Sequence, residues 1–471
     1  MRLFRDKFLR GGIHQGILVP RNLLSAGLAL FLGFNASAII SSNLVADWQG
    51  GVGVVASGGR ISQWSDQHLA QNNDGLGPHI LTQTNASPQP YDWTDARGNR
   101  GVMFPWSYFA PFPNTFLTIP ATLGSIDMDN STIYVIATGP MVPTNQTVVW
   151  LTGQASGWIR YAMNSNFPTA LQVGTQTSTI YAPLNPAVLV GSSDTNTTTL
   201  RWNNLTQTNS AQPAGFAGSG GTIGCFSGVE FYSGIIYRIL VYKAVHTSAQ
   251  MDAQVAELSA LYGVRTNYTK QAVCRGASTS EGVGSTMLQS YPYQLSQRYP
   301  EIAFHNQGLY GTYIGTNGLT GSMFDIDVNY VDSLFNGQLQ RNWLFVMSGL
   351  NDVYSGGQTG FTTWQRLTNY VAARKAAHPW KVVVCTLQAD SVSLAGNSDL
   401  NACIRTNGGP WDAYVDPGVN SPIETRLDNP YDTNYFYSDA IHLTNLGYGV
   451  LADHFGQIVN VPHRTTGFFG P

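Results

Sequence analysis

Charge is what this 471-residue chain has least of. Asp, Glu, Lys and Arg make up 11% of it, under half the roughly 25% of an ordinary soluble domain, and only five of its 24 basic residues are Lys. With 24 basic against 27 acidic residues the net charge is −3, so no cationic field is available to draw in phosphate backbones, and nucleic acid is not an expected partner. So little charge also excludes a coiled coil and a charged disordered chain. Cysteine is nearly as scarce. Cys225, Cys274, Cys385 and Cys403 are too few and too scattered to staple a chain this long, and no spacing among them suits a metal, so no cofactor or metal is expected. Cys385 and Cys403 could close a loop in an oxidising compartment; the other reading makes Cys274 and Cys385 buried strand thiols. What the chain does have is 50 Gly, 23 Pro and 43% apolar residues. Its surface must therefore be built from hydroxyls, amides and turns, as suits a β-rich extracellular or particle-borne protein. The length is about three ~150-residue units, and two packed domains are expected.

The first segment, residues 1–42, is uncharged from Asn22 to Ala46, with an apolar run Leu23–Phe34 before Ala36-Ser-Ala38 and after Arg2, Arg5, Lys7, Arg10 and Arg21. Three readings stand open: a cleaved secretory signal, an arm for self-assembly or packing into a virus particle, and a membrane anchor, for which the run is barely long enough.

Residues 43–265 carry short β-type runs between Gly, Asn, Pro and Ser clusters, among them Thr132–Thr138, Thr147–Thr152, Ala187–Gly191, Thr198–Trp202 and Gly234–Tyr242. Such spacing without interleaved helices predicts an antiparallel sandwich or jelly roll. One helix closes the segment, from the capping box Thr247-x-x-Gln250 through Met251, Val255, Leu258, Leu261 and Tyr262 to Gly263. The last strand, this helix and its Tyr-Gly end, with Ala46-Asp-Trp48 and Ile61–Asp66 at the start, resemble a concanavalin-like (laminin-G-type) domain. That resemblance implies binding of a polysaccharide or cell-surface glycan. Trp93, Trp106, Trp158 and Trp202 could form a sugar platform or pack in the core, and core packing is the commoner use of such residues.

From residue 266 to 463 strands and helices alternate: a strand at Val273, a helix over Ser285–Tyr299, buried runs Asn342–Met347 and Lys381–Thr386, and an amphipathic helix Thr362–Ala377. This order predicts a parallel sheet covered on both faces, with chemistry at the strand C-termini. Four segments sit there. Gly276-Ala-Ser-Thr-Ser-Glu-Gly282 exposes a Ser hydroxyl at a strand-to-helix turn; Asn306–Thr312 and Gly349-Leu-Asn-Asp352 offer N–H donors; Asp439-Ala-Ile-His442 sets a carboxylate and an imidazole on one side of a turn. In this order they resemble the SGNH (GDSL-type) hydrolase family. The resemblance implies Ser278 as nucleophile, His442 as base and then acid, Asp439 as its orienter, and the Ser278 N–H, Gly311 and Asn351 as the oxyanion hole. The family's Asp before the nucleophile is Ala277 here. His305, beside the second segment, reads as a packed or solvated side chain.

The expected fold is thus multidomain: an antiparallel β-sandwich (jelly roll), then an α/β three-layer domain with a parallel sheet (SGNH/flavodoxin-like), and a tail over 464–471. The expected activity is serine ester hydrolysis of an acylated, O-acetylated polysaccharide, outside the cell or on a virion. The alternative is a structural or adhesive surface protein with an inactive hydrolase fold. A lipase is a weaker reading, since no long apolar lid segment separates the four segments.

Overall fold

The computed structural model describes residues 39–460 except 41, 68–78, 86–88, 106–114, 121–129, 140–145, 152–157, 163–169, 174–175, 195, 210–219, 227–229, 286–288 and 316–321. The apolar N-terminal run and the C-terminal tail lie outside the described residues, as does Trp106. The first part is a large antiparallel, jelly-roll-like β-sandwich. Its long strands are β1 (Leu44–Gln49), β2 (Ser131–Ala137), β3 (Ala187–Ser193), β4 (Thr198–Trp202) and β5 (Gly234–Tyr242). They pair in the order β4-β3-β2-β5-β1, with Val135 opposite Leu189 on one side and Ile239 on the other. Alternation along β2 sends Ile133, Val135 and Ala137 into a core shared with Trp48, Trp64 and Phe104. Its other face is buried as well. Tyr134 meets Tyr242 edge-on at 5.7 Å and bonds His246 Nδ1 at 2.8 Å, which is why β2 and β5 read as continuous apolar runs. Helix α1 (Ser248–Tyr262) follows with the predicted capping box, Thr247 accepting from Gln250 N–H, and ends on Gly263 at φ +60°. Met251, Val255, Leu258 and Tyr262 are buried, whereas Leu261, expected on that face, is 56% exposed.

The second part is a separate five-stranded parallel sheet with helices. Its strands are β6 (Lys270–Gly276), β7 (Ala303–Gly308), β8 (Arg341–Met347), β9 (Lys381–Cys385) and β10 (Ala413–Val415), ordered β7-β6-β8-β9-β10. This is the flavodoxin-like 2-1-3-4-5 order, which reverses beside the first strand and opens a crevice at the strand C-termini. The helices are α2 (Ser278–Glu281), α3 (Tyr291–Arg298), α4 (Met323–Tyr330), α5 (Leu350–Tyr354), α6 (Gly360–Ala377), α7 (Leu394–Asn407) and α8 (Asn445–Asn460). The helix expected from Ser285 begins at Tyr291, with Pro292 in its first turn, where a missing N–H costs nothing. On one face Tyr291 and Phe345 both stack on Phe455 of α8, at 5.0 and 4.7 Å. On the other, Arg275 is fully buried and pairs through Nε with Asp327 at 2.9 Å, while Tyr370 donates to the same carboxylate at 2.6 Å. Arg275 Nη1 also donates to Gln307 O at 2.8 Å, fixing the ends of β6 and β7 to each other.

β7 would be an open edge, and open edges invite unwanted pairing. The sandwich covers it: Leu184 N–H donates to Phe304 O at 2.6 Å, and the Asn185 side chain accepts from Phe304 N–H at 2.9 Å and donates to Ile302 O at 3.0 Å. All four cysteines are free, Cys385 buried and Cys403 half-buried, so the Cys385–Cys403 loop closure does not form.

Candidate active site

The loops after β6, β7 and β8 meet because their strands are neighbours at the reversal of strand order. After Gly276 and Ala277 the chain turns into α2, and Ser278 is its first residue. Gly282, at φ +104°, ends this single turn and donates its N–H to Ser278 O at 2.9 Å. The β7 loop closes against it. Leu309 N–H donates to Gly276 O at 3.0 Å and Tyr310 N–H to Glu281 Oε2 at 2.7 Å. At Gly308 any Cβ would lie 2.2 Å from Glu281 N, so only glycine lets the two loops approach. Next in the chain, Gly311 turns with φ +75°. Asn351, on α5 after β8, donates its amide to Thr312 O at 2.9 Å, which places it beside Gly311. Asp352 is buried, accepting from Ile314 N–H at 2.8 Å and from Arg366 at 3.0 Å, and burial raises its pKa against those bonds.

The last segment carries Asp439 and His442. Asp439 Oδ1 accepts the N–H groups of Ile441 and His442, both at 3.0 Å, and Oδ2 meets His442 Nδ1 at 2.6 Å. Ala440, at φ +56°, takes the left-handed conformation this turn requires, a strain of the kind found at functional sites. Burial opposes ionisation of Asp439, but hydrogen bonds from the His442 ring and from the His442 and Ile441 N–H groups outweigh it and hold its pKa down at about 2. Ionised Asp439 selects the His442 tautomer with its proton on Nδ1, leaving Nε2 as an acceptor. That nitrogen lies 2.9 Å from Ser278 Oγ. The structure therefore brings Ser278, His442 and Asp439 into one hydrogen-bonded chain, the arrangement by which an imidazole can take a hydroxyl proton. Among the described residues no cluster of three or more His, Cys, Asp or Glu could hold a metal.

No family model matches this chain, and no curated protein does. Solved structures do. Domain 4 of AbnA, a GH43 extracellular arabinanase from Geobacillus stearothermophilus, is similar at 14% identity and a TM-score of 0.34, over 45% of this chain and 98% of that one. A carbohydrate acetylesterase family member from Sinorhizobium meliloti is similar at 13% identity and 0.29, over 40% and 97%. A carbohydrate esterase family 3 protein from Talaromyces cellulolyticus is similar at 16% identity and 0.29, over 40% and 96%.

Two site residues escaped sequence reasoning. Glu281 is buried and ties the serine turn to the β7 loop through Tyr310 N–H. Gln388, just beyond β9, donates to Thr279 Oγ1 at 3.3 Å and to Ile441 O at 3.2 Å, joining the serine and histidine loops. Glu281 carried a faint signal, three residues beyond Ser278 within one Gly-bounded turn; Gln388 carried none. His305 lies well away, buried on β7, as the bland reading had it. Trp202 is buried and Trp93 half-buried.

Proposed function

We propose that this chain is a serine ester hydrolase of the SGNH type acting on an acylated, O-acetylated polysaccharide, with residues 43–265 as a glycan-holding sandwich and 266–463 as the hydrolase. The observation that carries the reading is the Asp439–His442–Ser278 chain, at 2.6 and 2.9 Å, at the end of the parallel sheet where its strand order reverses. His442 Nε2 takes the Ser278 proton as Oγ attacks the ester carbonyl. The Ser278 and Gly311 N–H groups and the Asn351 amide stabilise the oxyanion. His442 then protonates the sugar oxygen as its bond to the acyl carbon breaks, releasing the free hydroxyl; water, deprotonated by the same nitrogen, attacks the acyl-enzyme, and Ser278 Oγ leaves with that proton as the acid is released.

The polysaccharide part is supported by a chain poor in charge and rich in amides and hydroxyls. The surroundings proposed are the cell exterior or a virion surface; among the described residues no helix is long and apolar enough to cross a membrane. Wild-type protein should label with a fluorophosphonate probe and hydrolyse p-nitrophenyl acetate, and Ser278→Ala should do neither. Unchanged turnover in that variant would overturn the assignment, and a folded wild type that neither labels nor turns over would mark the hydrolase part as an inactive scaffold.

A further inference from the structure

At the opposite end of the parallel sheet the structure holds a cleft of about 820 Å³, at the upper end of the ~300–1,000 Å³ of sites that enclose small ligands. One wall is the sandwich, from Tyr181 and from Trp202 to Gln207; the other is the chain before β6 and β8, including Asn267 and Asn336–Leu339. Ala303 and His305, two residues apart on β7 and so on one face, lie between them.

The chemistry of the lining is selective. Among the described residues it contains no Asp, Glu, Lys or Arg, so none of them offers an ionic partner to a phosphate, carboxylate or ammonium group. It does contain six side-chain amides and four aromatic rings; Trp202 is buried and Phe335 is stacked on His378, which leaves the half-buried Tyr181 and Tyr268 beside the amides, groups that pair hydroxyls and cover the apolar face of a flat ring. Two of the amides hold the frame. Asn203 accepts from Val188 N–H at 2.8 Å and donates to Arg265 O at 3.2 Å, and the Gln271 amide donates to Leu334 O and Asn342 Oδ1, both at 2.6 Å. His305 is about 95% buried and its Nδ1 has no partner. Its other ring nitrogen bonds the Ala182 backbone, and burial pushes its pKa down to about 4. Neutral, it adds no charge to the cleft, and its Nδ1 is enclosed by protein.

We propose that this cleft binds a neutral oligosaccharide segment. It lies along β6 from the catalytic loops, about 20 Å away for a seven-residue strand, so it grips polymer remote from the ester undergoing cleavage. The anchoring role rests on the polysaccharide-esterase reading; the ligand chemistry of the cleft does not.

The test is calorimetry on full-length Ser278→Ala protein with cellotetraose, xylotetraose, maltotetraose and chitotetraose, and with tetragalacturonate as the charged comparison. At least one neutral tetrasaccharide should bind with tetragalacturonate at least tenfold weaker. Gly337→Trp, at the rim where an added Cβ meets nothing closer than Phe335 at 3.9 Å, should weaken that binding tenfold or more without unfolding the protein. No binding by any neutral member, binding indifferent to Gly337→Trp, or equal binding of tetragalacturonate overturns the proposal. Because binding is read on a protein lacking Ser278, the cleft and the esterase can fail separately: fluorophosphonate labelling of wild type reports only on the second.

Discussion

Two histidines mark the two ends of the parallel sheet, and their surroundings are opposite. His442, at the C-terminal end, is held by a carboxylate that three hydrogen bonds keep ionised. His305, toward the N-terminal end, has burial and one backbone bond as its influences, and both its neutrality and its unpartnered Nδ1 follow. The first sits within a hydrogen bond of the Ser278 hydroxyl; the second stays neutral inside the protein. In a chain this poor in charge, the placement of one Asp beside one ring is enough to set the two histidines apart.

The comparison breaks most readily at the catalytic end. His442→Ala should lower kcat/KM for p-nitrophenyl acetate by on the order of 10⁴-fold or more, as in known Ser-His-Asp hydrolases, with an unaltered circular dichroism spectrum; a loss under tenfold would deny it the role of base. Asp439→Asn should cost about two orders of magnitude less than His442→Ala, since the carboxylate orients the ring without exchanging the proton; equal losses in steady-state assays would contradict that division. At the C-terminal end of β6 sits the buried Arg275–Asp327–Tyr370 cluster. Asp327→Ala strands a fully buried guanidinium and should lower unfolding stability by about 3–5 kcal/mol in urea titrations; a change under about 1 kcal/mol would mean that the sheet does not depend on it.

The smallest effect separates the histidine from the aspartate by pH. The folded pKa of His305, about 4, lies below its ordinary 6.5, so the unfolded chain takes up that proton first. Its contribution is full above pH 6.5 and is lost as pH falls toward 4, by at most about 1.4 kcal/mol per pH unit. Asp439, at about 2 against 3.8, contributes fully above pH 3.8 and loses its share only below that. Urea midpoints between pH 7 and 4.5 should therefore fall less steeply in His305→Gln than in wild type, and parallel slopes would remove His305 from the account.

Much of the catalytic end was legible in the chain. Asp439 and His442 are three residues apart, so their contact is a local property of one turn, and the Gly-bounded Ser278 turn is equally local. The Glu281 and Gln388 contacts were not legible, because each joins loops brought together by strand order, and a side chain bonding a distant backbone atom leaves no pattern. The sandwich shows the same limit. Its strands could be read from β-branched and aromatic runs, yet the burial of both faces of β2 depends on what packs behind Tyr134. Leu261 has the spacing of a buried residue and faces solvent because the helix buries a narrower stripe than its apolar residues allow.

By itself the sequence determined the two-part order, the β-rich front, the alternating back and the residue types able to form an acyl-transfer site, since all of these rest on spacing and composition. Tertiary structure alone decided that Ser278 Oγ and His442 Nε2, 164 residues apart, lie within a hydrogen bond, that the sandwich covers the β7 edge, and that a neutral cleft forms between them. Contacts between segments remote in the chain depend on how the strands are ordered and packed, and spacing along the chain does not record that.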